Sequence, residues 1–325
     1  MQTVATIFPA RFTGPTVAEL GEKAVIREIV AQAPSEFNGD DAAVLFNAPP
    51  NSRTVVTTDM AVEGRHFRLE WSTPEEIGGK AIIQNFADVE AMGARPVAAV
   101  LAVAAPTNTP VSFLRALAHG IGERVVEFSA DLVGGDIVAG EQLTVSVTAI
   151  GSLGGSLPPL TLDAARPGQQ LVAAGRIGHS AAGLALLEHY GREVPEGLEV
   201  LRDAHTSPRI DPTRGMIARS TGATAATDNS DGLIVDLTTL AAASGVTIDL
   251  DRDAIAPDAD MIRAGELTGT DPWEWVLAGG EDHTILATTA GPAPSGFRVI
   301  GRVAKGSGVT VGGERPAHSG GWVSF

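Results

Sequence analysis

The stretch TPEEIGGKAIIQNFADVEAMG, residues 73–93, sets how the rest of the chain is read. Thr73 suits a helix N-cap, Pro74 the first helical position, and Glu76 completes a capping box. Ile77, Ala81, Ile82, Phe86 and Val89 then recur at helical spacing through Met92, and Gly93 stops the helix. Working outward, Thr109-Pro110 opens a second helix in the same way, with Val111, Leu114, Leu117, Ile121 and Val125 on one side. Runs rich in β-formers flank both helices, at 42–46, 54–58, 97–104 and 143–150. Strands and helices therefore alternate. The Gly- and Pro-rich stretch 151–159 interrupts the pattern as a linker would, and a second mixed series follows. It consists of a strand at 171–174, a helix over 180–189, a helix after Asp211-Pro212, a helix from Asp236 to Ser244-Gly245 and a strand at 246–250. The reading is an α/β chain of two domains, 1–150 and 151–325, with no fixed-period repeat.

Charge narrows the partners. The 325 residues carry 23 Lys+Arg against 39 Asp+Glu, a net charge of −16, which disfavours nucleic acid and anionic lipid. A phosphorylated ligand would be repelled too, unless the carboxylates gather metal cations. There is no cysteine, which excludes disulfides, thiolate metal sites and a cysteine nucleophile and fits a reducing cytoplasm. No apolar run approaches the ~18 residues that span a bilayer, so the expectation is a cytoplasmic protein without a membrane partner.

Six segments place acidic residues beside Gly, Ser, Thr or Asn: Asn38-Gly39-Asp40-Asp41, Thr57-Thr58-Asp59, Asn85 to Asp88, Gly134-Gly135-Asp136, Asp228-Asn229-Ser230-Asp231-Gly232 and Gly279-Gly280-Glu281-Asp282. A carboxylate at a strand end is fixed by the sheet yet open to ligand, and neighbouring glycines let phosphate approach backbone N–H groups. Such hard oxygen donors suit Mg²⁺, which takes a few carboxylates together with waters and phosphate oxygens. The alternative for any single segment is an ordinary turn, since Asp and Gly dominate turns. Asp88 sits between the apolar Phe86 and Val89 in the first helix and is either a surface residue at the edge of the stripe or a carboxylate that needs a partner. Neither a Walker A sequence nor the protein-kinase loop set occurs. Residue chemistry alone therefore ends at a multi-Mg²⁺ α/β protein that handles phosphates.

The order and spacing of these segments resemble the thiamine-monophosphate kinase family of the aminoimidazole ribonucleotide synthetase-like superfamily. The likeness runs from about Gly21 to Phe325. It is carried by Gly39-Asp40-Asp41-Ala42-Ala43, Thr57 through Phe67, Lys80 through Ala94, Gly178 through Leu184, Ser230-Asp231-Gly232-Leu233 and Gly279-Gly280-Glu281-Asp282. The resemblance implies a two-domain α/β (α+β) fold whose N-terminal mixed sheet, with helices on one face, pairs across a homodimer. It implies that Asp41, Thr57, Thr58, Asp59, Asp88, Asp136, Asp228 and Asp231 hold several Mg²⁺ ions, and that Gly135, Asp136 and Ser230 contact ATP. It further implies that His66, Glu281 and Trp322 contact thiamine monophosphate. Without it, His66 reads equally as a core or surface histidine and Trp322 as packing of the chain end. The sequence departs from the family at Leu162, where an ATP-contacting Arg is usual, with Arg166 and Arg176 as substitutes nearby, and at Ala87, Ile137, Ala139 and Asn229.

The implied reaction is transfer of the γ-phosphate of ATP to the substrate phosphate. That oxygen is already ionised near neutral pH, so no catalytic base is assigned. The alternatives are another ATP-dependent reaction of the superfamily and a non-catalytic nucleotide-binding relative.

Overall fold

The computed structural model describes residues 8–34 and 51–321. Asp41, Trp322 and the strand expected at 42–46 lie outside these residues. In chain order the elements are α1 (Val17–Leu20), α2 (Glu22–Gln32), β1 (Arg53–Val62), α3 (Pro74–Ala91), β2 (Arg95–Ala105), α4 (Val111–Glu127), β3 (Asp131–Ala139), β4 (Thr144–Leu153), β5 (Gln170–Ala174), α5 (His179–Tyr190), α6 (Glu199–Thr206), α7 (Arg214–Ser220), β6 (Ala223–Asp228), α8 (Leu233–Ser244), β7 (Val246–Leu250), α9 (Ala259–Thr268), α10 (Pro272–Ala278), β8 (Ile285–Thr289), β9 (Arg298–Lys305) and β10 (Gly308–Val311). Contacts divide the described chain into two units: 8–34, Val56–Phe86 and Pro96–Ser152 in the first, and 51–55, Ala87–Arg95 and 153–321 in the second. No described helix is long and apolar enough to cross a membrane.

The first unit holds a four-stranded sheet in the order β1-β4-β2-β3. The capping box at Thr73 forms: the Thr73 N–H donates to Glu76 at 2.7 Å and the Glu76 N–H to the Thr73 hydroxyl at 3.3 Å. The helix this box starts packs closely on α4, because a Cβ on Gly78 would overlap the Leu117 carbonyl and one on Gly120 the Glu75 backbone. α4 carries the chain from β2 to β3, which run parallel with Leu101 beside Gly135 and Ala102 beside Asp136. Leu101, Val103 and Ala105 are buried on one face, whereas the other face bares Val56 (62% exposed), Met60 (54%), Val100 (36%) and Val138 (54%). That face is thus uncovered, and its apolar side chains stand beside the hydrogen-bonded hydroxyls of Thr58 and Thr148.

The second unit holds a six-stranded sheet in the order β10-β7-β9-β5-β8-β6, antiparallel throughout except for the parallel pair β10 and β7. Alternation buries both faces. Leu171, Ala173, Ala225 and Leu286 join Leu186, Leu237, Met261 and Trp275 from α5, α8, α9 and α10 in one core, while Val172, Ala226 and Ala287 pack with Ala218 of α7 and Leu160 on the other side.

Three boundaries differ from the sequence reading. β4 continues to Leu153, so the segment Gly151 to Leu153 is strand and the irregular stretch begins at 154. α8 begins at Leu233, three residues before Asp236, whose carboxylate accepts the N–H groups of Asp231 (3.2 Å) and Gly232 (3.0 Å) at the helix start. The segment Gly134-Gly135-Asp136, which reads as a turn, lies inside β3. Pairing with β2 overrides the low strand propensity of its glycines.

Candidate active site

The register of the second sheet aligns three loop-bearing strand ends. Ala174 at the end of β5 pairs with Ile285 at the start of β8, and Ile285 pairs with Asp228 at the end of β6. The loops 175–178, 229–232 and 279–284 consequently leave the sheet from one edge. The loops that carry Asp228, Ser230, Asp231 and Glu281 are thereby brought together. Asp228 Oδ1 accepts the Ser230 hydroxyl at 3.2 Å, and its Oδ2 lies 3.2 Å from His283 Nδ1. The Glu281 N–H donates to the Ser230 carbonyl at 2.8 Å and the His283 N–H to the Asn229 carbonyl at 3.0 Å, which ties the two loops. A Cβ on Gly280 would overlap the Ser230 carbonyl, so glycine is required for this approach. Glu281 and His283 adopt positive φ of 63° and 52°, left-handed backbone that non-glycine residues hold only where the surroundings impose it.

Two carboxyl groups in this region have raised pKa values. Burial pushes Asp282 up to about 7 against the N–H bonds it accepts from Gly178 (2.6 Å) and Ser180 (2.8 Å) at the start of α5. Burial and the negative charges of Asp228 and Asp231 push Asp236 up to about 7. That unrelieved negative field is what a cation would offset. Asp88 lies in the last turns of α3, and two residues on, the fully buried Glu90 accepts the N–H groups of Thr213 and Gly215, both at 2.7 Å.

In the first unit the expected ligands stand within strands rather than at their ends. Asp59 is exposed in the middle of β1, where its N–H donates to Asn85 Oδ1 at 2.9 Å; the buried Asn85 in turn donates to the Ala81 carbonyl. The Thr58 hydroxyl donates to the Val147 carbonyl at 3.0 Å and accepts from Thr148 at 3.1 Å. Thr57 is half-buried in the same strand. His66 Nδ1 accepts the Val62 N–H at 3.1 Å, which assigns the ring proton to Nε2, and Lys80 Nζ donates to the His66 carbonyl at 2.9 Å. Asp136 is exposed on β3, and Oδ1 accepts the following N–H of Ile137. β1 and β3 are opposite edges of the sheet, so Asp59 and Asp136 of one chain are separated by three strand spacings, at least about 14 Å. One ion cannot reach both. Beside Asp136, α2 and strands β2 and β3 enclose a cavity of about 670 Å³ lined by Ile26, Ile29, Leu101, Val103, Gly135 and Asp136 among others.

Sequence reading missed His205, Asp236 and His283, because none stands in a glycine-flanked acidic segment; only the fold brings them to the cluster. It also grouped Arg166 and Arg176 as substitutes for the lost Arg at Leu162. The structure separates them. Arg166 Nη1 donates to the carbonyls of Asp163 and Ala165 in its own loop, whereas the exposed Arg176 follows β5 at the cluster edge. The Leu162 carbonyl itself is bonded to Ser244, at the opposite end of α8 from Asp231, roughly 18 Å along a 12-residue helix.

Among the described residues no three acidic or histidine side chains form a ready metal cage. Oxygen donors alone, with carboxylates singly placed, match an ion that draws its remaining ligands from phosphates and water. Residues 39–153 match the AIR synthase related protein N-terminal domain and residues 166–313 the corresponding C-terminal domain, so the fold and site define a two-domain AIR synthase related protein. The thiamine-monophosphate kinase of Corynebacterium glutamicum is 64% identical over 316 residues, 96% of either chain. That of Mycobacterium tuberculosis is 46% identical, covering 96% of this chain and 93% of its own. The structure of thiamine-monophosphate kinase from Stenotrophomonas maltophilia superposes with a TM-score of 0.78 at 31% identity, covering 89% of this chain and 96% of that one. AaThiL complexed with AMPPCP and TMP gives 0.78 at 31% identity, covering 97% and 100%. The chain belongs to the thiamine-monophosphate kinase family.

Proposed function

We propose that this protein transfers the γ-phosphoryl group of ATP directly to the phosphate of thiamine monophosphate, giving thiamine diphosphate and ADP. The observation that carries this reading is the shared edge of β5, β6 and β8, which gathers Asp228, Ser230, Asp231 and Glu281 in a chain 64% identical to a kinase of that name. A terminal oxygen of the acceptor phosphate forms the new P–O bond as the bond from the γ-phosphorus to the β,γ-bridging oxygen breaks in line. The acceptor needs no deprotonation, so the protein's task is alignment and charge compensation. Mg²⁺, when bound, neutralises the phosphate oxygens of donor and acceptor so that they can approach. Thr57, Thr58, Asp59 and Asp136 of the first unit, Asp88, Asp228 and Asp231 of the second, and Asp41 hold the ions in this reading. Gly135, Asp136 and Ser230 hold ATP, and the apolar cavity beside Gly135 suits its purine. His66, Glu281 and Trp322 hold the acceptor, with Trp322 stacking on the cationic thiazolium.

The functional unit in this reading is a cytoplasmic homodimer, with residues 1–150 as the Mg-ATP-binding and pairing domain and 151–325 completing the site. The uncovered face with Val56, Met60 and Val138 supports the pairing. The test is incubation of the purified protein with ATP, Mg²⁺ and thiamine monophosphate, with chromatography for thiamine diphosphate. Product that requires all three supports the reading; ATP hydrolysis without thiamine diphosphate sinks it.

A further inference from the structure

We infer that His205 is a positioning residue that aims the Glu281 carboxylate at the acceptor substrate. The inference rests on the proposed role of Glu281. His205 Nδ1 lies 3.5 Å from Glu281 Oε2 and 3.2 Å from the Ser180 hydroxyl, and both His205 and Ser180 are buried. With the proton at Nδ1, the ring places its N–H within hydrogen-bond reach of the Ser180 hydroxyl and ion-pair reach of the Glu281 carboxylate. The opposite tautomer would turn a lone pair toward a carboxylate. The three side chains do not form a nucleophilic triad, because both contacts fall on one ring nitrogen and no proton can pass from serine through the ring to glutamate.

The arrangement is built from the sequence upward. A Cβ on Gly183 would overlap the Leu201 carbonyl, so Gly183 lets α5 and α6 approach closely. Ser180 lies three residues before Gly183 on α5, and His205 four residues after Leu201 on α6, so each shares the contact face of its helix. The close crossing thereby delivers His205 to Ser180. Ser180 also donates its backbone N–H to Asp282, the neighbour of Glu281, at 2.8 Å. Glu281 holds a left-handed backbone, fixed at its N–H by the Ser230 carbonyl. What such a backbone leaves undetermined is where the flexible side chain points, and His205 supplies that restraint. A carboxylate so aimed suits an acceptor that carries a cationic aromatic ring.

A kinetic double-mutant cycle tests this, with His205→Ala, Glu281→Gln, the double variant and His205→Asn, whose side-chain amide can place an N–H near the position of Nδ1. His205→Ala is expected to raise KM for thiamine monophosphate about tenfold with KM for ATP unchanged, and His205→Asn to recover most of the loss. In the Glu281→Gln background His205→Ala should add nothing. If Glu281→Gln raises that KM but His205→Ala does not, His205 has no positioning role. Full additivity of the two variants, equal rises in both KM values, or a lowered Tm with unchanged kinetics would overturn the inference in the same way. A Glu281→Gln enzyme with unaltered KM for thiamine monophosphate would instead remove the proposed role of Glu281, and the task of His205 with it.

Discussion

The two sheets carry the carboxylates of the proposed phosphate site in opposite ways. In the first, Asp59 and Asp136 are exposed on edge strands of a sheet with one bare face. In the second, Asp228, Asp236 and Asp282 are set among backbone N–H donors and histidine at one edge of a sheet covered on both sides. Both residues of the first pair are open to water. The second group is enclosed, and burial together with the neighbouring charges moves Asp236 to about 7. In the proposed reading the exposed carboxylates serve the ligand, whereas the enclosed ones also cap backbone N–H groups.

The largest expected effect breaks the comparison at its exposed side. Asp59→Asn should lower kcat by about 10²–10³-fold, the size seen when a preorganised charge-stabilising group is lost, with Tm unchanged. Asp228→Asn should lower kcat as well, yet also shift Tm, because its partners Ser230 and His283 are enclosed with it. Equal Tm behaviour in the two variants would erase the distinction.

Glycines give the next effect. A Cβ on Gly215 would overlap the backbone of Glu90, whereas one on Gly134 of β3 meets nothing within 4 Å. Gly215→Ala should destabilise by about 3 kcal/mol in urea unfolding and Gly134→Ala by under about 1 kcal/mol. Next, Val138→Lys on the bare face should shift sedimentation toward the monomer, while a charge at the exposed Ile262 of α9 should not.

The smallest effect is in pH. Asp236 and Asp282 have folded pKa values near 7, raised from 3.8, so the folded chain holds protons that the unfolded chain releases. The stability this contributes is complete below about pH 4 and is lost as pH rises through about 7. The Tm of the metal-free protein should therefore fall between pH 5 and 8, as calorimetry would show. Asp236→Asn should flatten that fall, and Mg²⁺ should raise Tm more at pH 8 than at pH 6.

Helix α3 was legible because a capping box, proline and apolar spacing are local signals that tertiary packing then reinforced; α4 was legible from its apolar spacing, but the cap expected of Thr109 does not form, since Pro110 itself is the N-cap and no side chain caps the helix. The strand holding Gly134-Gly135-Asp136 was not, since two glycines resemble a turn until β2 pairs with them. The acidic segments were legible by composition, and the loops that carry four of their residues meet at one edge of the second sheet.

The sequence by itself determined the alternation of strands and helices and the family, because these are written in short-range periodicity and in the order of short motifs. Tertiary structure alone decided that Asp59 and Asp136 occupy opposite sheet edges, that Arg166 serves its own loop, and that His205 reaches Glu281 through the close crossing at Gly183. Each of these depends on strand order or helix approach between residues distant in the chain. Such distances are set by packing, which no local pattern encodes.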